Sequence, residues 1–191
     1  MAESKRIILG IDPGTIVLGY GIIEIGGTAK ASTKISLVSM GVVQLAKYDE
    51  PLVKLKIIYE KVQGLIENYH PTSCAIETPF YGKNVQSMLK LGRAQGVAIA
   101  SALTNNVEVF EYSPKKIKQS VTGNGNASKE QVAAMMQRLI GFEIQPKFLD
   151  ATDGLAAAVC HHFQSGHAVA GAKKFSGWGD FVKNNPSKVK K

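Results

Sequence analysis

Four carboxylates stand where a folded chain would find an unpaired charge costly. Asp12 closes the aliphatic run "RIILGID", Glu77 closes "SCAIE", and Asp150 and Asp153 stand three apart at the head of "DATDGLAAAVCHHF". A carboxylate leaving a core strand needs a compensating partner. A spacing of three puts Asp150 and Asp153 on one helix face. If the first and fourth strands are neighbours in a sheet, two carboxylates from adjacent strand ends face two from a helix start, and their repulsion demands cations. Oxygen-only ligation suits Mg²⁺ or Mn²⁺, which take a few carboxylates and complete their shells with waters and substrate phosphate. Two such ions would activate a water and stabilise the leaving oxygen of a phosphodiester. Singly, each acid has a plainer role: Asp150 or Asp153 suits a helix first turn, and Asp12 a turn with Pro13 and Gly14. Glu77, directly after "CAI", has no capping duty, and the joint pattern points to a site.

The elements that must position these acids follow from periodicity. Arg6 to Asp12, Val17 to Ile25 and about Ile35 to Leu45 read as three strands of an antiparallel meander, with "DPGT" and "IGGTAKAS" as turns. Leu52, Leu55, Ile58, Tyr59, Val62, Leu65, Ile66 and Tyr69 form a helical stripe behind Pro51 that ends near "HPTS". "SCAIE" is a short buried strand, and a second helix covers about Val85 to Asn105. Its Gly92, Gly96 and Ala100 would let another backbone approach closely, at a subunit contact or against the sheet. "VEVFEY" is the fifth strand, and "SPKKIKQSV" opens a helix with Pro114 in its first turn. "TGNGNAS" is a loop, while "SKEQVAAMMQRLI" and "DATDGLAAAVCHHF" are helices. The order predicts an α/β fold on a mixed sheet. Periodicity fades after Gly166, so residues 1–166 are expected to form the domain and 167–191 a basic, loosely ordered tail.

Composition narrows the class further. A chain of 191 residues, 45% hydrophobic and 20% charged, can bury one good core, and no apolar run approaches a membrane span. "MAESKR" leads straight into the first strand without an apolar leader, which implies a cytoplasmic protein that does not engage membranes. Cys74 and Cys160 sit in apolar contexts that suit reduced, buried thiols, and "CHH" at 160–162 lacks a second ligand pair for zinc. The net charge is +8, of which +5 lies from Gly171 onward, where six lysines stand against one aspartate. Within the body, positive charge is segregated: Lys83, Lys90 and Arg93 share a stretch free of acids, and Lys115 to Arg138 holds five basic residues against Glu130 alone. Segregation favours a nucleic-acid groove.

"ILGIDPGTIVLGYGII", "AIETPFYGKNVQSMLKLGRAQGVAIA", "VFEYSPKKIKQSVTGNGNASKEQV" and "DATDGLAAAVCHH" together resemble the RuvC family of Holliday-junction resolvases, collinearly from about Arg6 to Phe163. The resemblance implies an RNase H-like fold with a five-stranded mixed sheet flanked by helices. It further implies a homodimer that makes paired symmetric nicks in four-way DNA junctions during recombination and repair, with Mg²⁺, two ions per subunit, replaceable by Mn²⁺. RuvA and RuvB are the implied branch-migration partners. The family's catalytic and metal-binding acids fall on Asp12, Glu77, Asp150 and Asp153. Where some members have histidine at the third position, this chain has Asp150. Gly154 replaces the family's usual alanine, a change expected to weaken the helix start slightly, and the tail beyond Gly166 shows no family counterpart.

Around the acids, "ETPFYGKN" would carry Phe80 or Tyr81 to the substrate, where an aromatic can stack on an exposed base for roughly 1 to 3 kcal/mol, unless one of the pair covers the core. The resemblance points to Phe80, and it aligns Lys118 and Lys129 with lysines near the scissile phosphate; either alone could be a solvated surface residue. Lys83, Lys90 and Arg93 complete the expected DNA-binding set. "GIDPGT" also resembles the first phosphate loop of actin-like phosphotransferases, but those need two lobes and a second Gly-rich motif. A non-catalytic nucleic-acid-binding domain would not need four acids in a basic groove. An RNA-directed RNase H-like nuclease would share the acids without reason for the junction loop. The reading favoured is a metal-dependent junction endonuclease leaving ligatable 5′-phosphate ends.

Overall fold

A computed structural model describes residues 6–26, 34–79, 84–141 and 149–166. Among these described residues, five strands and five helices follow in the order β1 (Arg6–Asp12), β2 (Val17–Gly26), β3 (Lys34–Gln44), α1 (Pro51–Tyr69), β4 (Ser73–Glu77), α2 (Val85–Thr104), β5 (Glu108–Tyr112), α3 (Pro114–Thr122), α4 (Lys129–Ile140) and α5 (Leu149–Gly166). The strands form one sheet of order β3-β2-β1-β4-β5. The first three strands pair antiparallel, while β4 lies parallel to β1 and β5 parallel to β4. The expected five-stranded mixed sheet flanked by helices is the observed one.

Local chemistry sets the helix ends. Pro51 starts α1 where its missing N–H costs nothing, and His70 closes it in the left-handed region with φ 47°. The side chains of Asn84 and Ser113 cap α2 and α3 by accepting from the backbone N–H groups of Ser87 and Lys116. Ser128 and Gln131 form a reciprocal capping box on α4, which ends at Gly141 with φ 72°.

Period-two alternation sorts each strand between two cores. Leu9, Ile11, Leu18, Ile22, Cys74 and Ile76 face α1 and α2, where Ile58, Val62, Leu65, Ala94 and Ala98 meet them. Ile8, Ile23 and Ala75 face the other layer, built from Ile117 and Val121 of α3, Val132 and Met136 of α4, and Leu155 to Cys160 of α5. Each fully buried Leu or Ile contributes about 1.5 to 3 kcal/mol of apolar burial, so the sheet is held from both sides. Cys74 and Cys160 are free and buried, as their apolar contexts implied. Among the described residues no helix is long and apolar enough to cross a membrane.

Helix α5 lies backbone-close on β1 and β2 because glycines line the contact. A Cβ added at Gly10 would collide with the Gly154 carbonyl oxygen, and one at Gly21 with Leu155 Cα. A Cβ at Gly154 itself would meet Tyr20 Cα at 2.7 Å. Gly154 thus serves close approach, and the expected cost to helix propensity is secondary to that fit. Gly92 and Gly96 are different. They are exposed on α2, and nothing lies within 4 Å of a Cβ built at either, so this stripe does not pack on the sheet.

Candidate active site

Asp12 and Glu77 reach one site through strand register. Ile11 pairs with Ile76 in the parallel β1–β4 ladder, so the two acids that follow emerge side by side at the strand ends. Alternation then decides the face. Asp12 follows Ile8 and Gly10, and Glu77 follows Ala75, all on the α5 side. Helix α5 begins there, with Asp150 in its first turn and Asp153 one turn on. Asp12, Glu77 and Asp153 line one cavity of about 200 Å³ with Lys118 and Lys129, over an apolar floor that includes Ile117, Val132 and Ala156. Asp150 stands at its rim with a side chain 53% exposed, against 18% for Asp153.

The electrostatics are strongly frustrated. Burial, then the charges of Asp12 and Asp153, push the Glu77 carboxyl up to about 8, while Lys129 and Lys118 partly oppose the rise. Burial, followed by Asp153, raises Asp12 to about 6. Burial also raises Asp153 despite the lysine beside it. Lys129 Nζ donates to Asp150 Oδ1 at 3.2 Å and to Asp153 Oδ2 at 2.6 Å. Burial works against that ammonium, but the hydrogen bonds and charges of Asp153 and then Asp150 prevail and hold it above the ordinary lysine value.

The donors fit a hard divalent cation. Three acids share one cavity, their charges oppose one another, and positive charge is what lets them ionise together near neutral pH. Among the described residues, however, no three such side chains are gathered as a ready cluster, and Lys129 holds two of the carboxylates. A larger cavity of about 250 Å³, lined by Asn124, Gln131 and Arg138 among others, contains no carboxylate.

The other expected residues divide cleanly. Lys118 and Lys129 reach the acids. Lys90 and Arg93 are exposed on α2 and do not line the cavity. Phe80, Tyr81 and Lys83, and the tail 167–191, lie outside the described residues. Sequence reasoning missed that Lys129 would bridge both α5 acids. The available signal was its place in the first turn of α4, directly after the Ser128 cap, where the helix dipole disfavours a cation.

Comparison with known proteins identifies the family. The family model described as "Crossover junction endodeoxyribonuclease RuvC" matches residues 8–161. The chain belongs to the RuvC family. A relative bearing that description from Cytophaga hutchinsonii is 58% identical over 185 residues, covering 97% of this chain and 88% of the relative. One from Porphyromonas gingivalis is 51% identical over 195 residues and covers 100% of both chains. The solved structure of Thermus thermophilus RuvC in complex with Holliday junction substrate superposes with a TM-score of 0.73 at 28% identity, over 84% of this chain and 94% of that one. The fold is RNase H-like, and the protein is a DNA-cleaving hydrolase, a Holliday-junction resolvase. Because these relatives match 97% and 100% of the chain, the stretch after Gly166 does have counterparts among them, which corrects the expectation drawn from the motifs alone.

Proposed function

We propose that this RuvC-family chain resolves four-way DNA junctions in the cytoplasm as a homodimer, each subunit using Asp12, Glu77, Asp150 and Asp153 to hold divalent metal and nick one strand. The observation that supports it is the convergence of three partly buried acids and two lysines on one cavity, in a chain of this family. Nucleases of the family are metal-dependent; we assign Mg²⁺, two ions per subunit, with Mn²⁺ as a substitute. When bound, the metal would supply Lewis-acid activation of a water and charge for the leaving oxygen. Lys118 and Lys129 offset the carboxylates' repulsion of DNA and position a phosphate. The apolar floor of Ile117, Val132 and Ala156 keeps bulk water from behind the acids and strengthens every charge interaction in the cavity. Water attack on phosphorus leaves a 5′-phosphate and a 3′-hydroxyl, the ends a ligase joins.

Two equivalent strands require two equivalent sites, which a two-fold dimer provides. The outer face of α2 supports the subunit contact: exposed Val85, Leu89 and Leu103 continue the stripe of Gly92, Gly96 and Ala100 at coiled-coil-like spacing. RuvA and RuvB are proposed as partners on the family resemblance, and failure of either to co-migrate with the chain on a four-way junction would remove them.

The deciding experiment incubates wild type and Asp12→Asn with a mobile four-way junction and with plain duplex, with and without Mg²⁺. Wild type should make paired nicks in the junction only, and only with Mg²⁺, while the variant binds without cutting. Nicking by Asp12→Asn at the wild-type rate would refute the assignment of the acids.

A further inference from the structure

We propose that the Lys129 ammonium occupies the cation position between Asp150 and Asp153 until a divalent metal takes those oxygens, and that this exchange hands the lysine to a DNA phosphate. The inference rests on the reading of the four acids as metal ligands. Lys129 Nζ contacts one oxygen of each carboxylate, at 3.2 and 2.6 Å. It therefore does from within the chain part of what a metal does when bound, bridging two like charges. A divalent ion needs carboxylate oxygens at about 2.0 to 2.1 Å for Mg²⁺, and an ammonium drawn onto both carboxylates competes with it for them through like-charge repulsion.

The lysine is built to swing. Its backbone is fixed in the first turn of α4 by the reciprocal Ser128–Gln131 capping box, while its side chain remains 51% exposed on a flexible four-carbon stem. It also lines the cavity that holds Asp12 and Glu77, so displacement from Asp153 moves the charge along the wall of the same site. Metal loading costs the lysine its carboxylates, and a phosphate supplies replacement acceptors. Metal and DNA should consequently favour each other's binding, reciprocally, through this one side chain.

The test is Mn²⁺ titration of the full-length protein without DNA, read as free Mn²⁺ by electron paramagnetic resonance. Lys129→Met should bind Mn²⁺ about tenfold more tightly than wild type, the order expected for removing a partly exposed, doubly hydrogen-bonded ion pair. Lys129→Arg, which keeps a cation on the carboxylates, should stay near wild type. Lys118→Met removes the same charge from the same cavity and should tighten binding less. The exchange is overturned if Lys129→Met binds no more tightly than wild type or than Lys118→Met. It is also overturned if Lys129→Arg tightens binding as much as the methionine. Asp153→Asn separates the two readings: weakened Mn²⁺ binding keeps the ligand assignment even where the exchange fails, and unchanged binding removes both.

Discussion

Exchanging Glu77 for Gln should stabilise the metal-free protein at pH 8 and leave it nearly unchanged at pH 5. Burial and the neighbouring acids raise the Glu77 carboxyl from 4.5 to about 8. Between those two values the folded chain keeps a proton that the unfolded chain has released. Stability therefore falls as pH rises through the window, the reverse of a salt-bridged acid. At about 1.36 kcal/mol per unit, the ionisation mismatch at pH 8 reaches roughly 4 kcal/mol for a rigid site. Relaxation of the carboxylate toward solvent brings it to about 2. At pH 5 the same arithmetic leaves under about 1 kcal/mol. Gln is nearly isosteric and neutral, so it removes the mismatch while keeping the packing. Urea unfolding in EDTA at the two pH values measures the difference directly. Saturating Mg²⁺ should reverse the order, because wild type gains ligand-linked stability and the variant has lost a donor. A Glu77→Gln protein less stable than wild type at pH 8 in EDTA would refute the electrostatic account of the site.

Gly21→Ala should destabilise by about 1 to 3 kcal/mol, read as a lower melting temperature, since its Cβ would collide with Leu155 Cα and α5 must shift. Cleavage should fall further than junction binding, because Asp150 and Asp153 ride on that helix; an unchanged melting temperature would contradict the contact. Gly96→Arg should leave the fold intact, with nothing within 4 Å of its Cβ, yet sediment as a monomer. A dimeric Gly96→Arg protein would move the subunit contact off α2. Truncation after Gly166 removes six lysines and one aspartate and should preserve junction cleavage while making duplex binding less salt-dependent. An inactive or insoluble truncation would place the tail within the working structure.

Much of the fold was legible locally. Alternation in "RIILGID" and "SCAIE", the stripe behind Pro51, and the Ser128 cap each depend on neighbours a few residues away, so the sequence alone locates those strands and helices and puts an acid at each end that matters. Alternation also states that Asp12 shares a face with Ile8, and Glu77 with Ala75. It cannot state which strand lies beside which, because pairing depends on covering both faces of a whole sheet. Only the tertiary structure set β4 against β1 and laid α5 on the glycines of β1 and β2, which gives Gly154 its reason. The same holds for α2, whose small residues suited either a sheet or a second chain until Ala94 and Ala98 were found to cover the core and Gly92 and Gly96 to face outward. Lys129 is the clearest case. Its reach to Asp150 and Asp153 depends on how α4 and α5 converge, a distance in space that no local pattern encodes.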